Sequence, residues 1–176
     1  YNAQDVDLYV SHMTDAAYLI AFGDGLDAFF RYIGDDEAYR ATGNTFFTAE
    51  THVNYYKEMK LGEAFSIETQ VLGCDEKRMH LFHRMYHGKT KELVATNEIM
   101  QLHVNQKAGK VVPMRSDLYD ALYTIGKAHK KMKKPKLKLT GSSLDVQRLA
   151  QHSPVDRRSL KSFSSVRFSS SSKKKL

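Results

Sequence analysis

Thr48, Glu50 and His52 recur two residues apart inside the run NTFFTAETHVNYYKEMKLGEAFSIETQVLGCDEKRMHLFHRM (44–85). Side chains of a strand point to alternate sides, so this spacing puts a hydroxyl, a carboxylate and an imidazole on one surface. Such a set can do acid–base chemistry: Glu50 as the base that activates a water, with Thr48 or His52 as its hydrogen-bond partners. The same spacing also describes a solvated strand face, and periodicity alone leaves both readings open. Phe47, Ala49, Thr51, Val53 and Tyr55 would occupy the opposite, core-facing side. Asp27 is a second carboxylate of interest, set on an otherwise apolar segment where a charge needs either a partner or a site. His80 and His83 fall on opposite faces of a strand and cannot chelate one ion, and no other ligand spacing suggests a metal.

These side chains need elements to hold them. Residues 14–34, TDAAYLIAFGDGLDAFFRYIG, read as one long helix, with Thr14 or Asp15 as its N-terminal cap and Gly34 as its stop. Its apolar residues (Ala17, Tyr18, Leu19, Phe22, Leu26, Phe29, Phe30, Ile33) are spread widely enough to predict a helix enclosed by a sheet. Gly23 and Gly25 each cost roughly 1 kcal/mol against Ala mid-helix, which predicts close packing at both. A short helix or turn at 35–43 precedes four strands, near 45–56, 63–73, 78–87 and 93–105, and an amphipathic helix at 117–132 closes the set. One helix followed by consecutive strands is an α+β plan; no βαβ alternation is present.

The chain has 176 residues, enough for one domain with its own core. Its formal charge of +7 is divided unevenly: residues 1–126 hold 12 Lys and Arg against 18 Asp and Glu, a net of −6, and residues 127–176 hold 15 against 2, a net of +13. The basic character therefore belongs to a tail, which is Ser-rich beyond residue 136 and reads as disordered. Residues 1–135 form the expected domain and 136–176 the tail. Cys74 is the lone cysteine, so no internal disulfide forms; a reducing, cytoplasmic location is expected. The terminal Lys-Lys-Leu only loosely matches the Ser-Lys-Leu peroxisomal address. Tyr1 is not a start methionine, so the chain reads as a fragment or processed product that can lack its first strand.

Several runs carry a resemblance: HMTDAAYLIAFGDGLDAFFRYIG (12–34), FFTAETHVNYYKEMKLGE (46–63), VLGCDEKRMHLFHRMYHG (71–88), ELVATNEIMQLHVN (92–105) and YDALYTIGKAHKKM (119–132). Together they resemble the hotdog-fold acyl-CoA thioesterases, within the 4-hydroxybenzoyl-CoA thioesterase-like branch that includes the betainyl-CoA thioesterases. The resemblance covers about residues 1–135. It implies an antiparallel sheet wrapped around the helix at 14–34, a homodimer or larger assembly joined edge to edge, and an acyl-CoA site at the subunit interface. It implies no cofactor beyond the coenzyme A of the substrate. The Lys-rich segment at 127–138 could meet CoA phosphates, an anionic membrane or nucleic acid. A solubilising extension is the expected reading there, with neither a nucleic-acid nor a membrane partner. The thioester carbonyl would point at backbone N–H groups near the start of that helix, where the dipole favours an oxyanion.

Carried onto this chain, the resemblance places His12 at the helix mouth as a group that positions water or the thioester, beside Glu50 and Asp27 as catalytic candidates. Asn2, Thr48, His52 and Tyr18 become substrate-binding candidates. A trimethylammonium acyl head would want aromatic faces or a carboxylate, and Tyr18, Phe22, Tyr55 and Tyr56 are available. One departure stands out. Relatives carry D-Y-N-G-H-[ML] directly before the helix, whereas nine residues, AQDVDLYVS, separate Asn2 from His12 here. Either Tyr1-Asn2 matches the family's Tyr-Asn ahead of an insertion, or the register holds at Tyr9 to His12 with Leu8 and Val10 in place of Asp and Asn. Both alter the loop that would complete the oxyanion site. The alternative function is a catalytically impaired hotdog protein that binds acyl-CoA or a protein partner.

Overall fold

The computed structural model describes residues 12–60 and 62–136, and the backbone of 167–170. Helix α1 (Asp15–Ile33) is followed by α2 (Glu37–Ala41), β1 (Asn44–Tyr55), β2 (Phe65–Cys74), β3 (Arg78–His87), β4 (Leu93–Asn105), β5 (Lys110–Val111), α3 (Ser116–His129) and β6 (Arg167–Ser170). Neighbouring strands run antiparallel in the order β1-β4-β3-β2-β6, with β5 pairing on β4. This is the expected α+β hotdog arrangement, with α1 seated on one face of the sheet.

Helix α1 starts where Thr14 accepts a hydrogen bond from the Ala17 N–H. It ends where Gly34 adopts φ 100°, a conformation that costs a glycine little and donates back to Arg31 and Phe30 carbonyls. Its buried side chains pack on the inner-facing residues of the sheet: Phe29, Phe30 and Leu26 meet Leu81, Met79, Ile99 and Val71, and Phe30 stacks on Phe46 with ring centroids 5.1 Å apart. Helix α3 lies beside α1 on the same face, burying Leu118, Leu122 and Ile125. A β-bulge between Val71 and Gly73 breaks the β2–β3 ladder, and the Val71 N–H donates instead to His129 Nδ1 at the end of α3 (3.0 Å).

The enclosure of α1 is partial. Leu19 and Ile20 are 44% and 68% exposed, so the helix keeps an apolar stripe toward solvent. Gly25 is packed as expected, since a Cβ there would lie 3.1 Å from Ile67, but Gly23 has nothing within 4 Å. In the Ser-rich tail, β6 pairs with the free edge of β2 where disorder is expected; an edge strand offers main-chain groups that accept a partner whatever its side chains. The rest of the tail lies outside the described residues.

The core contains a polar row beneath α1. Thr69, His83 and Asn97 face one another across β2, β3 and β4, and the Thr51 hydroxyl of β1 donates to Asn97 Oδ1 (2.6 Å). His83 is fully buried; its Nδ1 shares a 2.9 Å hydrogen bond with the Thr69 hydroxyl, and Nε2 has no partner among the described residues. Burial pushes its pKa down to about 4. A histidine kept neutral when folded and free to protonate when unfolded binds fewer protons in the folded state. The stability it leaves intact above pH 6.5 is therefore lost as the pH falls toward 4. Urea titrations should show His83 contributing a loss of about 2 kcal/mol between pH 7.5 and pH 5. His83→Gln should flatten that slope; an unchanged slope would contradict the assignment.

Candidate functional site

The first described residues are clasped to the segment leaving β1. The Met13 N–H donates to the Met59 carbonyl (2.7 Å), and His12 bridges to Lys60. This pairing sets the start of α1 beside the end of β1. Between them opens a cleft of about 360 Å³ lined by Met13, Asp15, Tyr18, Tyr55, Tyr56, Lys57 and Glu58. That volume falls at the small end of ligand pockets.

The tyrosines are held from three directions. Tyr18, one turn into α1, is buried and its hydroxyl donates to the Lys57 carbonyl (3.1 Å). Tyr55 meets it edge-on, with centroids 5.1 Å apart and planes at 63°. Tyr56 is fixed by its N–H, which donates to the Val94 carbonyl (2.8 Å), and by a 3.3 Å contact between its hydroxyl and Thr96 Oγ1. The Tyr18 and Tyr55 phenols are raised above their ordinary pKa mainly by burial, and also by nearby charge: Asp15 beside Tyr55, and Glu58 beside Tyr18. Both rings therefore stay neutral over the whole physiological range. The Lys57 ammonium is drawn into an ion pair with Glu92, leaving Asp15 and Glu58 as the cleft's unbalanced charges.

Helix donors are also at hand. The Ala17 and Ala16 amides are already taken, by Thr14 Oγ1 and by Asp15 Oδ1 respectively. The Thr14 and Asp15 N–H groups have no acceptor among the described residues and lie at the positive end of the dipole. His12 is exposed two residues ahead of the cap.

The expected strand triad does not assemble. Thr48 stands opposite Gln101, whereas Glu50 stands opposite Met100, because a β-bulge at Ala49 shifts the register. Directly paired residues share a face, so Thr48 points inward with Gln101, and Glu50 and His52 point to the outer face with Met100 and Glu98. Gln101 Nε2 donates to Thr48 Oγ1 (2.8 Å), and His52 Nε2 lies 3.3 Å from Asn54 Oδ1. The bulge also inverts the first half of the expected core face: Phe46 is buried, and Phe47 is 52% exposed. Within the chain, then, Glu50 and His52 lie across the sheet from the cleft that holds Tyr18. Phe22 also stays out of the cleft, packed against His83 in the core. Asn2 lies outside the described residues.

Asp27 sits three turns along α1 from the cleft, about 18 Å at 1.5 Å per residue. Its carboxylate pairs with Arg31 and, at 2.8 Å, with Arg40, and these guanidinium groups hold it below the usual carboxylate range against a contrary push from burial. Arg40 also reaches the fully buried Asp35 at 3.3 Å. Cys74 is buried and pushed up to about 12, so it offers no thiolate. Among the described residues, no group of three or more His, Cys, Asp or Glu is placed to hold a metal ion. Of the cleft residues, Tyr18, Tyr55 and Tyr56 were named from the sequence as available aromatic faces, whereas Lys57 and Glu58 were not singled out. The only signal for those two is their place directly after the Tyr55-Tyr56 pair at the end of β1.

Comparison with known proteins places this geometry. A family model described as the thioesterase-like superfamily matches residues 1–122. A protein of Rhizobium meliloti named L-carnitine dehydrogenase/betainyl-CoA thioesterase is 42% identical over 76% of this chain and 27% of its own length. The betainyl-CoA thioesterase of Pseudomonas aeruginosa is 34% identical over 72% of this chain and 80% of its own. The chain thus spans about a quarter of the first relative. Among solved structures, a Staphylococcus aureus protein in complex with CoA superposes with a TM-score of 0.64 at 25% identity, over 85% of this chain and 87% of that one. A putative thioesterase of Pseudomonas putida does so at 0.62 and 31%, over 74% and 87%.

Removing the Asp27 carboxylate should cost about 0.5–1 kcal/mol, as for a largely exposed pair, and leave turnover unchanged. Arg40→Ala should cost about 3 kcal/mol, because it strips the cation from buried Asp35. Chemical denaturation of Asp27→Ala and Arg40→Ala measures both, and equal losses would contradict this division.

Proposed function

The chain belongs to the thioesterase-like superfamily, and from that premise we propose that it hydrolyses the thioester of a small acyl-CoA at the cleft between α1 and the end of β1. The observation that carries the reading is that cleft: Tyr18, Tyr55 and the first residue of α1 line it in a chain of this family, and exposed His12 stands two residues before the helix cap. The carbonyl oxygen would accept from the Thr14 and Asp15 N–H groups. Water, deprotonated by His12, adds to the carbonyl carbon, and the negative charge that develops on oxygen is met by the helix terminus. Collapse of the adduct breaks the C–S bond, coenzyme A leaves as its thiol after protonation, and the free acid remains. Betainyl-CoA is the substrate favoured by the names of the relatives.

A homodimer also belongs to the reading. β1 ends the sheet order and carries half-exposed Phe47, so two copies can pair along it and bring a second chain to the mouth of the cleft. Glu50 and His52 of that strand would then act, if at all, from the partner's side.

Thiol release from a panel of acyl-CoAs tests the proposal. The parent should turn over short acyl groups, and His12→Ala should lower kcat by about 10²-fold or more, as loss of a general base does. No turnover of any ester, together with measurable CoA binding, would favour the catalytically impaired binding protein instead. Sedimentation equilibrium should give twice the chain mass; a monomer would contradict the pairing along β1.

A further inference from the structure

We propose that the tail segment Arg167–Ser170 is a strap on the cleft: docked along the edge of β2 away from β3, it holds the stretch of sheet on which the start of α1 rests. The walls it braces are the same whatever the cleft binds.

Main-chain groups of an open edge would accept any extended segment, so what selects this one is its register. Arg167 stands opposite Glu68, Phe168 opposite Ile67 and Ser169 opposite Ser66. Residues directly opposite share a face. Ile67 lies inward, paired with Met85 and buried, whereas Glu68 lies outward, paired with Arg84. An apolar residue of the tail thus takes an inward position, and a cation takes an outward one opposite a glutamate. A slip of one residue would exchange them. Helix α3, which ends at His129 against Val71 of β2, tethers β6 to the strand it meets. Tethering lets a four-residue ladder hold where a free tetrapeptide would not.

The place where β6 docks gives the pairing its consequence. Phe65–Glu68 is the start of β2, and the ends of elements open first. On its other side this stretch is held by β3, and just before it the Gly88 N–H donates to the Ala64 carbonyl (2.6 Å). Phe65 and Ile67 belong to the buried cluster that holds Met13, Tyr18 and Met59, and Ile67 is the side chain on which Gly25 of α1 closes. Met13 and Met59 are also the pair whose 2.7 Å hydrogen bond clasps the helix start to the segment leaving β1. A ladder on this edge therefore braces, through one layer of side chains, both the seat of Tyr18 and the clasp. Released, it would leave the start of β2 paired on one side only, directly beneath the cleft.

Amide hydrogen exchange in the full chain tests the strap, read at Phe65–Glu68 and at Met13. Successive residues of a strand point their N–H groups to opposite sides, so Arg167→Pro with Phe168→Pro removes whichever donor faces β2. Exchange should quicken at both places by about tenfold or more, as the loss of one or two hydrogen bonds would give, with β4 unchanged. Unchanged exchange at Phe65–Glu68, or faster exchange there with Met13 unmoved, overturns the proposal. If the variant also loses the protection of β4, a locked form decides. Ser66→Cys with Ser169→Cys joins opposite residues, whose Cα spacing suits a disulfide. Buried Cys74, its thiol pushed up to about 12, does not compete. Mild oxidation should link the two positions within one chain and slow exchange at Met13 relative to the reduced form. Failure to link, a link only between chains, or a link without effect at Met13 overturns the strap.

Discussion

Everything at the site depends on how the first helix is seated. Phe22, Leu26, Phe29, Phe30 and Ile33 bury one side of α1 on the inner face of the sheet, and Gly25 lets the helix approach Ile67 closely. That packing fixes the axis but not where the N-terminus points. The clasp of Met13 to Met59 does this by tying the residues before the cap to those leaving β1. Two elements about forty residues apart thereby form the two walls of one cleft. Loss of that contact would leave the core packed and the site open.

The sheet divides its polar residues between its faces with different consequences. On the inner face, Thr51 pairs with Asn97 and Thr69 with His83 beneath the helix, a polar row that the burial of His83 makes sensitive to acid. On the outer face, His80 and Glu98 form a buried 2.8 Å pair beside His52. Neither set lines the cleft. The start of the helix, where the proposed function places the chemistry, offers backbone donors and a dipole without any need to bury an ionised side chain.

Local patterning revealed most of the elements. β3 and β4 match the expected spans, α1 starts at the expected Thr14 cap and stops at Gly34, and the apolar residues of α3 lie on its buried side. Strand order was not local information, so Phe47 and Tyr55 read as core although β1 lies at the edge. The bulge at Ala49 was equally hidden: nothing in TFFTAETH interrupts the alternation, yet one extra residue sends Thr48 and Glu50 to opposite faces. The family resemblance pointed to α1 and β1, the elements whose ends form the cleft. It did not reveal which strand residues meet the helix, because that is decided by the turn at Tyr55 to Met59 and not by the pleat.

A crystal structure with a ketone analogue of betainyl-CoA, in which a methylene replaces the thioester sulfur so that the carbonyl stays but cannot be hydrolysed, tests the central claim most directly. The account predicts the carbonyl oxygen within hydrogen-bonding distance of the Thr14 and Asp15 N–H groups, with the acyl end against Tyr18 and Tyr55. Density for the acyl group on the outer sheet face beside Glu50 and His52, in the same protomer, would contradict it.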